Sequence, residues 1–252
     1  MKLKEISLSI YFEPCVYGIY KSNYNSEKAY LCDCRDFFHK NIFPIKKQFC
    51  METRNIVSFF SRLHYENYND IQYPFSKLII SCCKDERNSG KIINCNGITE
   101  IRVLYDYSKF NELSIIQKKC DALSIIMDGL SKAINNFSSD LTPYRNIEST
   151  IISHNYINIW IWNSKWNKNR KYKASVYVNH NVFNTVIGLI ISDNKGTQIH
   201  NKELVTTKPD EWDYYPLLGK LLWHDDEVVL LDKKGETVGK WSANKLDLSI
   251  CN

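Results

Sequence analysis

A chain of 252 residues, 44% hydrophobic and 13% aromatic, holds enough apolar material to pack a core without staples, which excludes wholesale disorder. Its formal net charge of +5, from 33 basic and 28 acidic residues, falls short of the concentrated basicity of dedicated nucleic-acid domains. No apolar run is long enough to cross a bilayer, so no membrane partner is expected. Tyr, Asn, Lys and Ile are abundant, as in proteins of AT-rich genomes, and this bias discounts surface Asn and Lys as functional signals. Nine cysteines, an odd number, follow an N-terminus with no apolar signal stretch, which reads as a cytoplasmic chain with free thiols. In that compartment the Asn136-Phe137-Ser138 sequon has no meaning.

In residues 3–12, Ile6, Leu8 and Ile10 alternate with Ser7 and Ser9 and predict an opening strand; Val16–Tyr20 reads as its hairpin partner across Glu13-Pro14. Phe37, Phe38, Ile42 and Phe43 predict a short helix over 34–43 that Pro44 ends, and Ile56, Phe59, Phe60 and Leu63 predict another over 53–64. Lys77–Cys83 and Thr99–Tyr105 read as strands around the turn-rich Asp85–Gly90. Leu113, Ile116, Cys120, Leu123, Met127, Leu130 and Ile134 then step by three and four residues and predict a long amphipathic helix. Gln117, Lys118, Asp121, Ser124, Asp128, Ser131 and Lys132 fall on its other face, and Ser114 with Gln117 matches a capping box, with Asn111 an equally good start. A short helix is expected over 144–153.

From Ile157 to Trp241 the chain reads as successive strands. Ala174, Val176 and Val178 alternate with polar residues, and Asn179-His180-Asn181, Asn194-Lys195-Gly196 and Lys233-Lys234-Gly235 have turn composition. The fold class is therefore α+β: N-terminal strands with short helices and one long amphipathic helix, then a C-terminal antiparallel meander. The expected division is 1–139 and 140–252, with one continuous domain as the alternative.

No Walker, GxGxxG, HExxH or GxSxG motif is present, so no enzyme is expected. A Cys–His enzyme is a second alternative, since such pairs assemble from distant positions. Cys32, Cys34, His39 and Cys50 lack the second close pair that a zinc site uses, and neither metal nor cofactor is expected. His224-Asp225-Asp226-Glu227 groups acid/base side chains between two apolar runs, where a solvated hairpin turn accounts for them.

Two surfaces stand out. In the basic-aromatic stretch, Lys165, Trp166, Lys168, Arg170, Lys171 and Lys173 combine cations for phosphate with a ring for base stacking, the alternative reading of nucleic-acid binding; an ordinary hairpin tip competes with it. All six tryptophans lie after residue 157, and indoles dominate protein-interface hot spots. Trp160 and Trp162 lie opposite Ile157, Ile159 and Ile161; if the isoleucines face the core, the tryptophans face a covering element or a partner. Glu211-Trp212-Asp213-Tyr214-Tyr215-Pro216 is an acidic-aromatic loop, and its Glu211, Trp212, Asp213 and Tyr214, together with Asp210, Asp225 and Asp226, are the candidate partner-binding patch.

The segments Ile101–Phe110 with Met127-Asp128-Gly129-Leu130, and Tyr215–Trp223 with Val229–Trp241, resemble bacterial immunity proteins found beside polymorphic toxins of the contact-dependent inhibition and Rhs type. The resemblance covers about the last 150 residues and rests on patterning. It implies a cytoplasmic, non-catalytic protein whose partner is one cognate toxin domain, and it transfers no site residues. Inhibitors of basic nuclease toxins tend to be acidic; this slightly basic chain implies a neutral or acidic toxin, or a local acidic patch.

Overall fold

The computed structural model describes residues 1–135 and 140–243; the sequon at 136–138 lies outside them. The chain is an α+β protein that divides after Tyr156 into two compact units. The division falls later than the 139/140 boundary expected from sequence. The reason is α4 (Thr142–Ser153), whose Tyr144, Ile147 and Ile151 are buried in the N-terminal core.

The N-terminal unit is built on a four-stranded mixed sheet of order β1-β2-β4-β3, with β1 Glu5–Ile10, β2 Lys77–Cys83, β3 Ile92–Cys95 and β4 Ile98–Leu104. Strands β1, β2 and β4 run parallel, and β3 returns antiparallel at the edge beside β4. The opening strand therefore has no hairpin partner. Pro14–Tyr17 forms a 3₁₀ turn instead, because proline fixes a helical φ and Gly18 closes the turn at φ 77°.

The two short helices expected at 34–43 and 53–64 are parts of one longer helical run, α1 Glu27–Phe37, a π-turn at Phe38–Ile42, and α2 Phe43–Tyr68. Ser26 caps its start by accepting from Ala29 N–H at 3.2 Å. Pro44 does not end the run. It falls in the first turn after the π-turn, where the chain tolerates the missing N–H. This run carries the crossover between parallel strands β1 and β2 that the topology requires.

Helix α3 spans Ile115–Asn135, and its capping box forms as predicted, with Ser114 N–H donating to Gln117 Oε1 at 3.0 Å. Its buried face is rotated from the predicted stripe. Ala122, Ile126, Gly129 and Ala133 join Leu123, Leu130 and Ile134 inside, while Ile116 is half-exposed. Small residues let α3 approach the sheet closely: a Cβ on Gly129 would lie 2.7 Å from the Ile80 side chain.

Among its described residues the C-terminal unit is β apart from a helical turn at Glu211–Tyr214 and a 3₁₀ turn at Tyr215–Leu217. Strands β5 Asn158–Trp166, β6 Tyr172–His180, β7 Thr185–Asp193 and β8 Gln198–Thr207 form an antiparallel meander. Strands β9 Lys220–His224, β10 Glu227–Leu231 and β11 Thr237–Ser242 form a second. The two sheets share a core of Ala174, Val176, Val178, Ile187, Leu189 and Ile191 from one, and Leu221, Val228, Leu230 and Trp241 from the other. Two of the predicted turns share one device. Asp193 Oδ1 accepts from Lys195 and Thr197 N–H, and Asp232 Oδ1 from Lys234 and Glu236 N–H, with Gly196 and Gly235 at positive φ.

Candidate functional site

Trp160 and Trp162 are half-buried against the C-terminal core, and Ile157, Ile159 and Ile161 are 48–50% exposed. The isoleucines therefore face outward, and the condition under which the indoles would face a covering element or a partner is not met. The indoles win the interior because they present more apolar area to the second sheet than isoleucine does. On the outer face Ile161 lies opposite Tyr177, whose ring crosses Gly188, where a Cβ would come within 2.2 Å of it.

The acidic-aromatic loop forms a single helical turn, α5 Glu211–Tyr214. Asp210 is its N-cap, accepting from Trp212 N–H at 3.1 Å, so its carboxylate is engaged in holding the turn. Two residues along a helix rotate about 200°, which sends Trp212 and Tyr214 to opposite sides. Tyr214 is fully buried, its ring 6.4 Å from Trp160 and 5.5 Å from the buried His180. It is a core residue, and its place in the candidate partner-binding patch is withdrawn. Trp212 is 83% exposed. Glu211 is half-buried, and Asp213 is exposed beside the indole.

Tyr215 belongs to the same acidic-aromatic loop but not to the candidate patch expected from sequence. It is 46% exposed, with Lys233 Nζ 5.9 Å from its ring centroid. The signal was present in the spacing, since residues three apart share a helical face and Tyr215 follows Trp212 by three.

Asp225 and Asp226 do not join this turn. They form the β9–β10 hairpin turn, with Asp225 at φ 50° and Asp226 Oδ1 accepting from Asn167 Nδ2 at 3.1 Å. Asn167 follows the end of β5, whereas Tyr214 packs beside Trp160 and His180 near the other end. The two acidic segments are thus separated by most of the length of β5, about 25 Å at roughly 3.3 Å per residue.

The basic stretch spans the β5–β6 hairpin. Asn167 is buried and accepts from Tyr172 N–H at 3.0 Å, Arg170 takes a positive φ of 56°, and Trp223 Nε1 donates to Lys165 O at 2.8 Å. Lys168 lines a shallow depression together with Asp225 and Asp226. Trp166 and Lys173 pair across the strands, while Lys168, Arg170 and Lys171 are exposed at the tip. The acidic turn offsets the positive potential that phosphate binding would need.

Among the described residues no group of three or more His, Cys, Asp or Glu side chains gathers as a metal site. Cys82 and Cys83 are fully buried, and burial pushes both thiols up, Cys82 well above its usual value, which disfavours the nucleophilic thiolate. No described helix is long and apolar enough to cross a membrane. Comparison with family models, curated proteins and solved structures finds no match to this chain.

Proposed function

We propose that this chain acts as a non-catalytic protein-binding protein, an immunity-type partner that occludes a cognate bacterial toxin domain. The observation that supports this most is Trp212, an indole 83% exposed on a turn that its own N-cap and the buried Tyr214 hold rigid. Exposing so large an apolar ring costs solvation, and a preorganised turn loses little entropy when a partner covers it. Tyr215 widens the anchor, and Asp213 gives its rim a negative charge. The acidic patch is local to residues 210–213, which suits a basic spot on a toxin of any net charge.

The test is co-expression with the product of the adjacent upstream gene, followed by affinity capture and a growth assay. The wild-type chain should co-purify with the toxin and rescue growth. Trp212→Ala should weaken the complex by about 2 kcal/mol or more, roughly 30-fold in Kd. Its urea midpoint should not move, because the indole contributes little to the core. No complex and no rescue by the wild-type chain would sink the reading.

A further inference from the structure

The N-terminal unit holds a cavity of about 270 Å³ between the start of β1 and the C-terminal half of α2. Leu3, Ile6 and Tyr65 give it apolar walls, and His64 lines its inner part while being only 4% exposed. The His64 ring is held in place by Nε2, which lies 2.8 Å from Tyr73 OH, and Tyr73 OH is in turn hydrogen-bonded to Tyr144 OH. Its Nδ1 has no hydrogen-bond partner among the described residues. A buried ring with one polar atom committed and one free is a preorganised donor or acceptor for something small.

Charge selects the kind of ligand. Lys2 and Lys4 line the same cavity, both are exposed, and neither forms an ion pair among the described residues. Glu5, the acidic residue beside them, is taken by Lys77 at 2.7 Å. Burial pushes the His64 imidazole below its ordinary 6.5, so near pH 7 the ring is neutral and the positive charge comes from the lysines. The volume lies just under the range of roughly 300–1,000 Å³ usual for ligand pockets, which excludes a dinucleotide or a polymer.

We infer that this cavity binds a small amphipathic monoanion, an aliphatic body seated against Leu3, Ile6 and Tyr65 with a carboxylate reaching Lys2 and Lys4. The site lies in the N-terminal unit and stands or falls independently of the Trp212 surface.

Octanoate is the probe. Titrated into the full ¹³C-labelled chain, it should shift the His64 Cε1–Hε1 resonance saturably and bind at least fivefold more tightly than 1-octanol. Octylammonium should leave that resonance unmoved. Lys2→Gln with Lys4→Gln, both at exposed positions, should cost octanoate at least fivefold in affinity and leave 1-octanol unchanged. Ser61→Phe, which fills the cavity from α2, should abolish the His64 response. The inference is overturned if octanoate shifts no His64 signal, if acid and alcohol bind alike, or if the lysine double variant binds octanoate as before. It is equally overturned if the response survives Ser61→Phe in a chain whose circular dichroism is native.

Discussion

Lys118 sits on α3 with its ammonium 2.6 Å from Glu52 Oε2 on α2, and the two residues are 4% and 7% exposed. Gln48 Nε2 donates to the other Glu52 oxygen at 2.7 Å, and the Lys118 ammonium lies 5.4 Å from the Phe110 ring centroid. The pair is desolvated, so each charge depends on the other for the interactions that water would have supplied. Lys118→Met alone strands a buried carboxylate and should cost about 3–5 kcal/mol in urea unfolding. Adding Glu52→Leu should recover most of that loss, because an apolar pair of similar volume needs no solvation. If the single and double variants are equally destabilised, the charge pairing is not what holds Lys118 inside. The three- and four-residue stepping on α3 put Lys118 on the polar face, because periodicity registers residue type and carries no information about a carboxylate 66 positions away.

At the scale of elements, Gly129 decides how closely α3 lies on β2. In an exposed helix Gly→Ala would stabilise by about 1 kcal/mol. Here the added methyl would meet Ile80 at 2.7 Å, and overpacking of that kind costs typically about 1–3 kcal/mol. Gly129→Ala should therefore lower stability by about 1 kcal/mol in denaturant unfolding; a gain instead would mean that Ile80 yields freely. Elements whose causes are local were legible beforehand. The Ser114–Gln117 capping box, the Asp-x-Lys-Gly turns at 193–196 and 232–235, and the alternation of Ala174, Val176 and Val178 each depend on a few neighbouring residues. Elements whose partners are remote were not. Strand β1 pairs with residues more than seventy positions later, and Pro44 continues a helix because the π-turn before it absorbs the missing donor. The candidate patch divides in the same way. The exposed indole and its acidic cap lie in one short segment, whereas Tyr214 turns inward because Trp160 and His180 come from other strands.

For the whole molecule, two cores with no residue in common lie on either side of Tyr156, and each has its own spectroscopic reporter. All six tryptophans fall in the C-terminal unit, while the long helices α1 to α4 fall in the N-terminal one. Gly129→Ala should shift the 222 nm circular-dichroism transition to lower urea and leave the tryptophan-fluorescence transition in place. Coincident shifts in both probes would mean that the chain unfolds as a single cooperative body. Composition, periodicity and turn chemistry by themselves determined that this chain is α+β, that an antiparallel meander fills its C-terminal part and that its indoles gather late, because those properties are written in neighbouring residues. Only tertiary structure decided that the isoleucines of β5 face out, that Lys118 is buried and that the two acidic segments lie near opposite ends of β5. Each of these is set by what a distant segment brings alongside.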